Sequence, residues 1–397
     1  MDSKQEISQT AKINENFQVP DANEIDENKK IYDEFYDSDY TKGICKLVVS
    51  PIDTLWFRSI LIGFENFPQR NNPERPLIFA TNHSGMAFPW DAMIFGYRIN
   101  EFLNFDRNSL RALSAPMLSQ SALMNPYTMP NFWKKTGAVD ATFLNFETMM
   151  QFNDNNYLIY PEGVPGIGKG FNNKYKLQPM KTSFIRMSIK YKTDIITVSS
   201  VNAEYINPYT YSSLFVNKII NKIGIPFLPL GLITPFILIQ PWIFYFGFPA
   251  KLTYVLGRRI KFGELTDKSY EEISTDEFAK MAKKVRKMMQ EDLDNAVKKY
   301  GKNPYKLSEL FGNFFRFFKL LPYGLPMSWA VTFLEYNRLY KKFKKPPETI
   351  NAGFLRNYIL LIKNPIIFAY FIPIVGWIPI AIKGYRKHTL GNKERPK

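Results

Sequence analysis

Two short runs constrain the fold more than any other feature: "RPLIFATNHSG" at 75–85 and "NNYLIYPEGVPG" at 155–166. Each is a brief apolar stretch without alternation that breaks off into small, polar residues. Such a stretch reads as a buried strand, the run between Pro76 and the polar loop in the first case and Tyr157–Tyr160 in the second. Pro89 suits the first turn of a helix that follows the first strand, Pro89–Gly96 or longer. After the second strand, "PMKTSFIRMSIKYK" reads as a helix and the β-branched "TDIITVSSV" as another strand. Strand, helix and strand in that order, with buried strands, give an α/β fold: a mixed central sheet flanked by helices. Both polar loops follow a strand directly, which places them at the carboxyl edge of the sheet, where open α/β folds put their sites.

Elsewhere, "ICKLVVSPIDTLWFRSILIGFENFP" suits a short helix and then a strand near Trp56–Phe64. "STDEFAKMAKKVRKMMQEDLDNAVKKYG" is the clearest helix, with a capping box of Ser274 and Glu277 and a C-cap at Gly301. Phe278, Met281, Val285, Met288, Val297 and Tyr300 would share its apolar face, with the methionines filling core.

Charge divides the chain. The net charge is +16, yet residues 1–40 hold 11 acidic and 4 basic side chains, leaving 25 acidic and 48 basic in the rest. The first 40 residues are polar and aperiodic and read as a disordered acidic tail. The basic remainder calls for an anionic partner. No nucleic-acid-binding module is recognisable, so lipid headgroups are expected and nucleic acid is not. Two apolar segments agree. Ile223–Ala250 is 28 residues without a charge, broken by five prolines and three glycines; Pro365–Ile382 is 18 such residues with three prolines. Both have the length of a membrane element without its regularity, so apolar membrane-associating segments are expected, the alternative for 223–250 being a buried internal segment. Residues 302–397 carry 17 basic and 4 acidic side chains and include "FFRFFKLL", a mixture suited to interfacial attachment. The expected organisation is a tail at 1–40, a catalytic domain at 41–305 and a basic, aromatic-rich membrane-associating region at 306–397. The opening "MDSKQEISQT" has no basic start or apolar run, so no signal peptide is expected. The single cysteine, Cys45, leaves no intrachain disulfide and no cysteine-based zinc site.

The chain has two histidines, His83 and His388. No HExxH or Cys/His cluster is present, so no metal is expected. Imidazole acid–base chemistry falls to His83, at the end of a strand and beside the small residues Ser84 and Gly85. The alternative is a loop histidine satisfied by hydrogen bonds. Asp91 is its natural partner, able to fix the tautomer and stabilise an imidazolium; an aspartate favoured by the helix dipole is the plainer reading. The second loop, "YPEGVPGIGKGF", offers Glu162, Gly163, Lys169 and several amides to a ligand, with glycines at 163, 166, 168 and 170. It lacks the GxxxxGK[ST] of a P-loop, and a plain glycine-rich turn is the alternative.

The pair "NHSGMAFPWD" and "YPEGVPG" resembles the first and third motifs, NHxxxxD and roughly FPEGTR, of glycerolipid acyltransferases of the lysophosphatidic acid acyltransferase type. "IGFENFPQRNNPERPLIFATNHSG" is similar to the run into the first motif, "KKTGAVDATFLNFETMM" to the second and "TDIITVSSVNAE" to the fourth, over about residues 60–300. The resemblance implies transfer of a fatty acyl group from acyl-CoA or acyl-carrier protein, as co-substrate without a further cofactor, to a hydroxyl of a glycerolipid or lysophospholipid. His83 would be the general base and Asp91 its orienting partner. Asn82, Ser84, Gly85, Glu162 and Gly163 would shape the acceptor site, and loop amides would hold the oxyanion. It also implies a membrane-associated protein on the cytoplasmic face. This chain departs from the pattern in three ways. The second motif's arginine is missing around Gly137–Thr142. Asp91 lies eight residues after His83 instead of five, and Pro165 stands near the third-motif arginine, leaving Lys169 or Lys174 to hold an acceptor phosphate. The rivals are a lipid-binding protein with a degenerate site on the same fold, and a hydrolase, which would lack its G-x-S-x-G elbow.

Overall fold

A computed structural model describes residues 20–106, 109–220 and 227–384. Seven strands form one sheet: β1 (Ile60–Ile62), β2 (Ile78–Thr81), β3 (Leu110–Ser114), β4 (Val139–Asp140), β5 (Asn156–Ile159), β6 (Ile195–Val201) and β7 (Thr253–Ile260). Their order is β1-β7-β6-β2-β5-β3-β4. Only the β6–β7 pairing is antiparallel, so the sheet is mixed, as expected. Every residue of β2, β5 and β6 is buried. That is why these runs are apolar without alternation: helices cover both faces.

One face carries the helix Trp90–Phe102 and the helix Pro326–Phe343, meeting through Trp90 and Trp329, whose rings lie 4.7 Å apart. The other carries Ser183–Lys190 and Thr275–Tyr300. The latter begins with the expected Ser274–Glu277 capping box and ends at Gly301. Its buried side is rotated slightly from the expected one. Phe278, Ala282, Val285, Met289, Leu293 and Ala296 are inside, while Met281, Met288, Val297 and Tyr300 flank them. Small alanines held the true stripe, and the larger flanking side chains drew attention from it.

The acidic tail is corrected for its second half, residues 1–19 lying outside the described part. Residues 22–28 form a helix capped by Asp21 and Glu24, and Ser38–Ile44 forms another. Between them Tyr32 stacks on Phe152 at 3.9 Å and donates to Asn155 Oδ1 at 3.0 Å, and the Arg111 guanidinium lies over the rings of Tyr32 and Tyr36. The aromatic residues among the acids give this segment something to bury, which net charge alone concealed.

The region from 306 is not separate either. Trp329, Phe333 and Tyr336 of the helix Pro326–Phe343 are fully buried in the main core. Of the segment 223–250, residues 223–226 lie outside the described part, and the remainder divides between its two readings. Ile237, Phe244 and Tyr245 are buried, whereas Leu232, Phe236, Leu238 and Ile239 face outward. Its prolines limit it to a six-residue helix, Thr234–Ile239, and a short 3-10 turn, Pro241–Tyr245. Among the described residues no helix is long and apolar enough to cross a membrane.

Candidate active site

β2 and β5 are parallel neighbours with Ala80 beside Ile159. Three residues beyond that pair, the chains reach His83 and Glu162, so the register alone delivers both to the same edge. The two loops are then locked together: Glu162 Oε1 accepts the His83 backbone N–H at 3.1 Å, and Oε2 accepts that of Gln178 at 2.6 Å. Burial pushes the Glu162 carboxyl up, opposed by the nearby Lys169 charge and these two hydrogen bonds. Gly166 allows this packing, since a Cβ there would lie 2.7 Å from Glu162 Cβ.

The lengthened spacing between His83 and Asp91 does not open the dyad. Asp91 enters in the first turn of the helix Trp90–Phe102, and its Oδ2 lies 2.7 Å from His83 Nδ1. The same oxygen accepts Ser84 N–H at 3.1 Å, while Oδ1 accepts Ala92 N–H at 2.8 Å. The additional residues fold into a loop that turns through left-handed backbone at Gly85 and Met86. Met86 N–H donates to Ile167 O at 3.2 Å, and Met86 Sδ accepts Gly170 N–H at 3.1 Å. Non-glycine left-handed backbone costs about 1–3 kcal/mol and persists only where its surroundings determine it, as these cross-loop bonds do here.

Asp91 is completely buried and the His83 side chain is 12% exposed. With Nδ1 donating to Asp91, Nε2 is left as the basic nitrogen. The Tyr160 ring, at the end of β5, sits 4.3 Å from the imidazole. Its hydroxyl is held well above the usual tyrosine range by burial, so it stays protonated.

His83 stands in the wall of a cavity of about 510 Å³. The same cavity is lined by Ala92, Met93, Gly96 and Asn100 along one face of the helix Trp90–Phe102, and by Thr41 and Cys45. From Pro89 to Asn100 that is about 16 Å of helix. It matches about a dozen carbons of an extended alkyl chain, each C–C bond of ~1.5 Å advancing about 1.3 Å. A Cβ on Gly96 would meet nothing within 4 Å. A missing side chain in mid-helix, at a cost of about 1 kcal/mol relative to alanine, keeps this channel wide. In its wall, burial pushes the Cys45 thiol up to about 12, so it remains a neutral apolar group.

The other expected site residues serve the loops more than the cavity. Asn82 is spent on Ser200, accepting its N–H at 2.7 Å and donating to its carbonyl at 2.9 Å, which ties β2 to β6. Ser84 Oγ donates to Glu204 Oε1 at 2.7 Å, and the Gly85 carbonyl accepts from Asn207 Nδ2. Lys169 is corrected as a phosphate ligand: its Nζ is buried 3.2 Å from Glu204 Oε1. Lys174 lies on the surface above Phe171 and Tyr205, outside the cavity wall. The amides of Gly163, Gly166 and Gly168 donate to loop carbonyls and that of Gly170 to Met86, so this loop is packed, not an open anion cradle. Gly163 does line the cavity, together with Lys181. Lys181 and Tyr160 were missed because nothing in their spacing marks them. Glu204 had a signal, closing the run "TDIITVSSVNAE".

No family model matches this sequence. Over 235 residues the chain is 25% identical to an uncharacterized protein of Mycobacterium leprae, covering 58% of this chain and 57% of that one. Over 205 residues it is 24% identical to an uncharacterized protein of Mycobacterium tuberculosis, covering 51% and 53%. The chain thus spans a little over half the length of the curated relatives it matches. Among solved structures it is similar to the 1-acyl-sn-glycerophosphate (LPA) acyltransferase PlsC of Thermotoga maritima, at a TM-score of 0.35 and 15% identity, over 66% of this chain and 81% of that one.

Proposed function

We propose that this protein transfers a fatty acyl group from a thioester, acyl-CoA or acyl-carrier protein, to a hydroxyl of a glycerolipid or lysophospholipid. The observation that carries the reading is the closed His83–Asp91 pair opening onto a long apolar cavity. A base beside a channel for an alkyl chain suits a reaction in which one partner is a hydroxyl and the other a fatty acyl carbonyl. His83 Nε2 removes the proton of the acceptor hydroxyl as its oxygen attacks the thioester carbon. The tetrahedral intermediate collapses, the C–S bond breaks, and the leaving thiolate takes the proton back from the imidazolium. Asp91 holds the ring and offsets its transient charge.

The test is purified protein with labelled long-chain acyl-CoA or acyl-carrier protein and a panel of lysophosphatidic acid, other lysophospholipids and diacylglycerol. Labelled ester in one acceptor class supports the reading and names the acceptor. Free fatty acid formed at the same rate with and without acceptor would instead mark a hydrolase. No turnover with any pair, despite binding, would mark an inert lipid-binding protein.

A further inference from the structure

The helix Phe354–Lys363 is inverted for an element facing water. Phe354, Leu355, Tyr358, Ile359 and Ile362 form an outward stripe, Leu355 at 84% and Ile362 at 75% exposure. On the inward side Asn357 joins Leu360 and donates to Pro322 O and Ser328 Oγ, both at 3.2 Å. Leu307–Arg316 repeats the pattern: Leu307, Phe311 and Phe315 are exposed at four-residue spacing, while Asn313 turns inward to Thr54 O at 2.8 Å. A water-facing helix places these classes the other way round.

The two uncharged segments are joined to each other in the fold. Ile374 N–H donates to Ile239 O at 2.7 Å, Trp377 Nε1 donates to Leu238 O at 2.8 Å, and the Trp242 and Phe371 rings lie 5.6 Å apart. Leu238 and Ile239 therefore lie beside Ile374 and Ile378, all exposed. Helix Pro365–Phe371 packs on Phe354–Lys363, and Asn357 links that helix to the turn that follows Leu307–Arg316. Arg316, Lys319, Arg356 and Lys363 are exposed among these elements. The acids of residues 302–384 are three: Glu309 pairs with Lys251, Glu335 is buried against Arg338, and Glu348 lies between helices. An apolar surface of this extent with basic neighbours complements anionic headgroups over hydrocarbon.

We propose that these elements, 307–316, 354–383 and 232–239, form one platform that docks in the headgroup region of an anionic bilayer. It lies in the interface without spanning it: its ten-residue helices are about 15 Å long against about 30 Å of hydrocarbon. The platform also touches the segment that supplies part of the cavity wall. Lys383 Nζ donates to Thr128 Oγ1 at 2.7 Å and Ala122 N–H to Gly384 O at 3.1 Å, and Met117, Met124 and Trp133 of that neighbouring segment line the cavity. Docking thus sets a wall of the cavity at the lipid surface. The proposal rests on this surface and stands apart from the acyl-transfer reading.

The test is co-sedimentation with phosphatidylcholine vesicles with and without phosphatidylglycerol, at low salt and at about 0.5 M salt. Two variants are compared, Leu355→Asp/Ile362→Asp and Leu238→Asp/Ile378→Asp, with thermal unfolding to confirm that both fold. The wild type should bind the anionic vesicles, less with salt or without phosphatidylglycerol, and each variant should bind at least tenfold more weakly. Binding unchanged in both variants, or no binding by the wild type, would overturn the proposal. Loss in one variant only would overturn the single platform. A vesicle-free dimer that both variants dissociate, with no vesicle binding, would assign the surface to a second copy instead.

Discussion

Two regions of this protein use side chains in opposite ways. Around His83 the polar atoms of Asp91, Glu162, Ser84 and Asn82 are each committed to a named partner, and the apolar groups are inside. Along Leu307–Arg316 and Phe354–Lys363 one asparagine on each helix is turned inward and a stripe of large apolar side chains faces outward. In the first region one atom decides geometry, so single substitutions should have large functional effects. In the second the energy is spread over many side chains, and single substitutions should have small ones.

The sharpest way to break the contrast is Asp91→Asn. It keeps the shape but offers an amide to His83 Nδ1 and to Ser84 N–H, and acyl transfer should fall about 10³- to 10⁴-fold in kcat while folding is retained. A loss of tenfold or less in steady-state kinetics would remove the aspartate from the account. Next is Glu162→Gln. Its single acceptor oxygen cannot serve both the His83 and Gln178 amides, which leaves one unsatisfied at a cost of about 1–3 kcal/mol. A base displaced on the scale of 1 Å should lose about 10²-fold in rate. The pH dependence gives this variant a second readout. The Glu162 carboxyl is raised from 4.5 by burial, so its folded form favours the proton. Its contribution to stability is full below about 4.5 and is lost as the pH rises through the raised value. The stability of wild type relative to Glu162→Gln, from urea midpoints, should therefore decline over that window; a relative gain would reverse the sign assigned here.

The third substitution separates cavity from fold. Gly96→Leu puts a good helix former where open space faces the channel, so the protein should be as stable as wild type or more stable by up to about 1 kcal/mol. Turnover of long-chain thioesters should fall by tenfold or more while short-chain ones are spared. Equal loss for both lengths in a chain-length series would show that the channel does not hold the acyl group. The smallest effect belongs to the second region: Leu355→Ser alone should change the unfolding free energy by no more than about 0.5 kcal/mol, because its side chain is 84% exposed. A larger loss in chemical denaturation would mean that this stripe already packs against protein.

The contrast also explains what was legible in the chain. β2, β5 and the helix after Pro89 could be read because their signals are local: an apolar run, a proline, a polar break. The His83–Asp91 pair was legible because histidine is scarce. Its closure was not, since it depends on left-handed backbone at Met86 and on bonds to Ile167 and Gly170, more than 80 residues away. Lys169 and Lys174 looked like phosphate ligands because sequence records a charge and not its partner, and Lys169 had Glu204. The cavity could not be read at all, because it is formed by what Gly96 lacks and by where the segment 110–133 falls. The C-terminal layer was read by composition, which registered its basic and aromatic content. It could not tell the helix Pro326–Phe343, buried through Trp329 and Tyr336, from the helices lying over it.

The central claim is that His83 is the base of an acyl transfer, and one comparison addresses it directly. Wild type and His83→Ala are assayed side by side with labelled long-chain acyl thioester and the acceptor identified from the panel, alongside their urea unfolding curves. The account predicts ester formation by wild type and a fall of about 10³-fold or more in the variant at unchanged unfolding midpoint. Equal rates in the two proteins, measured above the acceptor-free background, would contradict it.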